Sequence, residues 1–157
     1  MRSLIWFFLG LLPTGVFAHG GHMATFSYQL TDTYIVLDFR IEQEIIEHLG
    51  LDKSCASYQQ TSALCLTKYI QEKVDFQLND CEVAFALEEA RVAKGIFHLK
   101  LMARGDFSQA GTLELKNTCF FSYDKKFENR VIVQKGAFAK SYRLSASHPQ
   151  IKLNPYL

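Results

Sequence analysis

Ala24-Thr25-Phe26-Ser27-Tyr28-Gln29-Leu30-Thr31 and Tyr34-Ile35-Val36-Leu37-Asp38-Phe39-Arg40-Ile41 decide the fold. In the first stretch Phe26, Tyr28 and Leu30 share one face. In the second Ile35, Leu37, Phe39 and Ile41 do the same. A two-residue period places alternate side chains on opposite faces of a strand. Thr31-Asp32-Thr33 between them makes a tight turn, so residues 24–41 read as a β-hairpin with one buried face.

Downstream the period changes. Ile41, Ile45 and Leu49 recur every four residues with Glu42, Glu44 and Glu47 between them, and Gly50 with Leu51 supplies a stop. This predicts a short helix over about residues 42–49 with a Schellman end. After a polar stretch, Thr61 or Ser62 caps a second helix, whose buried face carries Leu66, Ile70 and Val74 beside Cys65 and Tyr69. Alternation returns at Val74, Phe76 and Leu78, and Asn79-Asp80 turns the chain.

Further strands are expected at Cys81–Leu87, Phe97–Ala103, Leu113–Tyr123, Asn129–Gln134 and Phe138–Leu144. Glu88–Gly95 reads as a connection and Gly105–Gly111 as a loop. The tail from Ser145, with Pro149 and Pro155, reads as an edge segment or a loosely held end. About eight strands with polar outer faces predict a mainly β chain: a single-domain antiparallel β-sandwich, Ig-like in general architecture, with a helical insertion at about 42–73. An α+β sheet with helices on one face is the alternative.

Upstream, Arg2 precedes the apolar run Leu4–Leu12, Pro13 and Gly15 break it, and Val16-Phe17-Ala18 offers small residues to a signal peptidase. Residues 1–18 therefore read as a signal peptide. The run is too short for the roughly 20 apolar residues of a membrane span. The expected mature chain has a leader at 19–23, the domain at 24–148 and a tail at 149–157, in the periplasm or secreted. The whole chain has 17 Lys+Arg and 16 Asp+Glu. Losing Arg2 brings it to formal neutrality, and no basic excess or stripe is visible in the sequence. Nucleic acid is accordingly not expected as a partner.

Cys55, Cys65, Cys81 and Cys119 all lie in the exported part, and an even count in an oxidising compartment reads as two disulfides. Three pairings are open. Cys55–Cys65 is favoured because it closes a short loop. Cys81–Cys119 is favoured because both cysteines share the phase of inward residues on their strands. No two cysteines have the close spacing of a zinc or redox motif.

Tyr69-Ile70 through Phe76-Gln77-Leu78-Asn79 resembles a stretch in a family of small exported bacterial β-rich proteins of unknown function. So do Cys119-Phe120-Phe121 through Asn129-Arg130-Val131-Ile132, and Ser141 to Leu144. The likeness covers most of residues 20–148 and implies a β-rich exported domain with no assigned activity. A weaker likeness is to periplasmic components of nickel- or cobalt-type transport systems, through the histidine-rich start of the mature chain. Members of the first family usually open with His-Pro, whereas this chain opens His19-Gly20-Gly21-His22.

That start is the sharpest candidate for chemistry. The amine and imidazole of His19 can chelate one metal, with His22 adding a second imidazole and Met23 a thioether. Nitrogen donors suit Cu(II) or Ni(II), and a thioether Cu(I). The plain alternative is a solvated leader. His98 and Met102 share an outward face roughly 13 Å apart, too far for one ion. His48 suits the end of a helix. Glu88-Glu89 reads as a solvated turn. Gly-x-Ser-x-Gly and His-Glu-x-x-His are absent. The expectation is a non-enzymatic exported binding or accessory domain with an exported or membrane protein as partner. The alternative is a copper- or nickel-binding accessory protein.

Overall fold

The computed structural model describes residues 22–48 and 59–155. The expected signal peptide, His19, Cys55 and the Gly50 helix stop lie outside these residues, as does the side chain of His48. Ten strands and two short helices are described: β1 (Met23–Leu30), β2 (Tyr34–Glu42), α1 (Gln43–His48), α2 (Gln59–Lys73), β3 (Val74–Leu78), β4 (Cys81–Glu82), β5 (Ala86–Ala93), β6 (Ile96–Arg104), β7 (Leu113–Asn117), β8 (Glu128–Lys135), β9 (Phe138–Leu144) and β10 (Gln150–Leu153).

The strands form two sheets, one of six in the order β5-β6-β2-β1-β8-β9 and one of four in the order β10-β7-β3-β4. Both expected hairpin strands form, with Tyr28 opposite Leu37 and Phe26 opposite Phe39. Pairing is antiparallel except between β1 and β8, which run parallel with Thr25 beside Arg130. The sheets face each other through aromatic rings. Tyr28 of the large sheet stacks on Phe76 of the small one at 4.9 Å, and Phe85 meets Phe76 edge-on at 5.5 Å. Each fully buried ring of this kind contributes roughly 1.5–3 kcal/mol through removal from water. The mainly β sandwich with a helical insertion is therefore the observed architecture.

α2 covers one flank of the core with Ala63, Leu66 and Ile70 buried, while Leu64 on its far side is 60% exposed. Gln71 Nε2 donates to the Phe85 carbonyl at 2.6 Å, tying the helix to the segment before β5.

Several expectations are corrected. The expected Cys81–Leu87 strand is broken, pairing at Cys81–Glu82 before the chain rejoins a sheet at Ala86. α2 begins at Gln59, so Thr61 and Ser62 lie inside it rather than capping it. Glu88–Gly95 is not a connection. Ala86–Ala93 forms the edge strand β5, turned into β6 by Lys94 and Gly95 at φ of 52° and 73°. Its polar composition hid it, because an edge strand with one solvated face needs few apolar residues. The strand from Leu113 ends at Asn117, where the chain turns through Phe120 at a φ of 69°. The Cys81–Cys119 bridge is absent: both are free thiols, one exposed and one buried. Cys81 pairs with Leu78 at the end of β3, while Asn117 pairs with Val74 at its start and Cys119 lies beyond that. Four residues of strand alone separate those ends by ~13 Å, whereas bridged cysteines need Cα atoms within about 7 Å. The partner expected for Cys65, Cys55, lies outside the described residues, and Cys65 is not among the free thiols.

Candidate functional site

The expected metal ligands meet the fold at the entry to β1. His22 precedes the strand, and its carbonyl accepts the Glu128 N–H at 3.1 Å, which starts the β1–β8 pairing. Its Nδ1 stands 3.4 Å from Asp124 Oδ2. Asp124 is positioned by its own turn, because its Oδ1 accepts the Lys126 N–H at 2.8 Å. Met23, on the outer face, is 38% exposed. The structure thus adds a carboxylate beside His22 that the sequence did not suggest. His19 lies outside the described residues. Among the described residues no three His, Cys, Asp or Glu side chains are grouped to hold a metal ion.

Beneath this corner lies a buried polar knot. Asn129 Nδ2 donates to Asn117 Oδ1 and to the Cys119 carbonyl, both at 3.0 Å, and Asn117 Oδ1 also accepts the Cys119 N–H. The Phe120 N–H donates to Tyr69 Oη at 2.7 Å. Burial pushes the Cys119 thiol well above its ordinary value, with a small opposing pull from Lys73. It raises Tyr28 and Tyr69 likewise. A thiol so buried and so reluctant to ionise is a core side chain rather than a nucleophile.

The outer face of the six-stranded sheet carries the most organised set of charged groups. The described residues hold five arginines: Arg40, Arg91, Arg104, Arg130 and Arg143. All five stand on outward strand positions of this sheet, and four fall in one row across it. Arg91 pairs with His98, His98 with Arg40, Arg40 with Thr25, Thr25 with Arg130 and Arg130 with Arg143. At a strand spacing of about 4.8 Å the row spans ~24 Å. The lysines, by contrast, are spread over α2, the turns and both sheets.

Carboxylates in the flanking rows hold three of the four forks, and Arg130 Nε donates to Ser141 Oγ at 3.4 Å. Asp38 accepts from Arg40 Nε at 2.9 Å and Nη2 at 3.4 Å, and this contact raises the Arg40 pKa further. Arg91 Nε lies 3.7 Å from Glu89, and Arg143 Nη1 3.5 Å from Glu128. A guanidinium has five donors, so Arg40 keeps three beyond those used on Asp38. A formal charge of only +1 over the whole chain therefore conceals a row of arginines. The sequence put Arg40 opposite the inward face of its strand but read Arg91 as part of a connection, and it did not show that the four align. Alignment depends on strand pairing offsets, which turn lengths and the β1–β8 crossover set.

The other sequence candidates stay apart. His98 and Met102 lie on the outer face of β6, pairing with Arg40 and Val36. Glu88 meets Arg104 Nη2 at 3.3 Å. No protein-family model matches this chain, and no curated protein is significantly similar to it.

Proposed function

We propose that this chain is an exported, non-catalytic binding domain that engages an anionic partner through the outer face of its six-stranded sheet. The supporting observation is the arginine row, mounted on paired strands, with Arg40, Arg91 and Arg143 held by neighbouring carboxylates and Arg130 by Ser141. Arginine binds carboxylate, sulfate and phosphate groups bidentately, which lysine does not. A rigid sheet holds such donors in place before binding, which lowers the ordering cost of association. The signal-like residues 1–18 and the resemblance to small exported β-rich proteins support the compartment.

Titration with sodium pyrophosphate, followed by the arginine Nε–H resonances in NMR spectra, tests this reading. Saturable shifts at Arg40, Arg91, Arg130 and Arg143, ahead of Arg104, are expected. Non-saturating shifts of equal size at all five would overturn it.

The second reading is a copper- or nickel-binding accessory protein using His19, His22 and Met23. The specific observation in its favour is the Asp124 carboxylate 3.4 Å from His22 Nδ1. Calorimetric titration of the processed protein with Cu(II) and Ni(II) decides it. Affinity no better than that of a free His-Gly-Gly-His peptide sinks it.

A further inference from the structure

Resting on the anionic-partner reading, we infer that the ligand of this face is a linear acidic polysaccharide, laid across the strands along the row from Arg91 to Arg143. The shape of the charge selects it. The row is one residue wide. Glu89 and Asp38 flank it on one side, with Lys100 between them, and Glu42 and Glu128 on the other. A single file of anions fits between these carboxylates. A duplex nucleic acid presents two charged backbones, and the Glu42 and Glu128 flank repels the second. Single-stranded nucleic acid binds by stacking bases on aromatic side chains. Neither the row nor its two flanking rows contains Phe, Tyr or Trp. An extended peptide docks on a sheet by adding a strand at the edge. Here the row runs across the strands, where the interior strands already spend their backbone groups on one another.

A polysaccharide needs neither stacking nor backbone pairing. Its ring carboxylates or sulfates meet the guanidinium forks singly, and its hydroxyls suit Thr25 and Ser27 within the face. The half-exposed side chains of Met23 and Ile96 beside the row, 38% and 37% exposed, offer apolar contact for sugar C–H groups. Carboxylate and sulfate share the chemistry the row recognises, so the test carries both.

Calorimetric binding to polygalacturonate (carboxylate only), dextran sulfate (sulfate only) and neutral dextran is the experiment. At least one acidic polymer should bind saturably, with affinity falling as salt rises, while dextran does not. Arg40→Gln with Arg130→Gln should weaken binding at least about tenfold, since each loses a charge-assisted bidentate contact. Arg40→Lys with Arg130→Lys should recover only part of the affinity, because charge returns without the fork. Lys68→Gln with Lys116→Gln, off this face, should leave it unchanged, and thermal melts of all variants verify folding. Equal loss in the lysine pair, binding to neither acidic polymer, or tighter binding to oligo(dT) would overturn the inference. If pyrophosphate saturates the row but no acidic polymer binds, this inference fails and the anionic-partner reading stands. If the bound polymer is shortened, the non-catalytic part of that reading fails and the ligand class stands.

Discussion

Asn129 is fully buried and holds together a turn it does not belong to. Its amide donates to Asn117 and to the Cys119 carbonyl, so two other chain positions depend on one side chain. Asn129→Ala removes both donated hydrogen bonds; Asn117 Oδ1 keeps the Cys119 N–H, but the Cys119 carbonyl loses its donor, a cost of about 1–3 kcal/mol for a buried group left unpaired. A fall in melting temperature of several degrees is expected by calorimetry. A melt within a degree of wild type would show that the turn is held some other way. Tyr28, Tyr69 and Cys119 set the alkaline limit. Burial raises all three above ordinary values of 10.0 for the phenols and 9.0 for the thiol. The folded chain keeps protons that the unfolded chain releases. Their contribution is therefore intact below pH 9 and is lost as pH rises through the folded values. Alkaline titration followed at 295 nm should show these tyrosines ionising together with loss of structure. Ionisation of Tyr28 in a still-folded chain would contradict this.

Among the elements, the β3–β4 hairpin shows how one turn residue serves two places. Asn79 and Asp80 adopt φ of 49° and 62°, the left-handed pair that a two-residue hairpin requires. The Asn79 side chain then reaches the loop before β7. Its Oδ1 accepts the Gly111 and Thr112 N–H groups at 2.8 and 3.0 Å, and its Nδ2 donates to the Gln109 carbonyl at 3.0 Å. Asn79→Ala should cost about 2 kcal/mol, combining a poorer turn with three lost hydrogen bonds of modest net value. Urea unfolding measures this, and faster amide exchange should be confined to residues 105–112. The turn was legible because Asn-Asp has few other uses between two alternating runs. The strand at Ala86–Ala93 was not legible. Only Leu87 and Ala90 of its face touch the core, and Glu88, Glu89 and Arg91 look like a solvated link. The same contrast separates the two candidate sites. A histidine pair around two glycines is visible in one dimension. A row of arginines drawn from β5, β2, β8 and β9 exists only once the sheet has assembled.

Across the whole molecule, stability is graded from the centre of the large sheet outward. β2 and β1 are flanked by strands on both sides, whereas β5 and β9 end the sheet. Hydrogen exchange should be slowest in β1, β2 and β8 and faster along β5, β9 and the short β10, as mass spectrometry can read directly. A uniform protection profile would contradict this grading. The residues facing the core from β1 and β2 were readable because period two leaves no choice of face. The β1–β8 adjacency was not, since nothing in either strand names its neighbour. That adjacency also fixes a timetable. β1 leaves the ribosome, or enters any pore N-terminus first, long before its parallel partner, which begins only at Glu128. Its β2 side can close early as a hairpin, but its β8 side stays open until nearly the whole chain has been delivered. A sequence threaded from its N-terminus therefore remains extendable for most of the journey, and its central sheet is completed only on arrival.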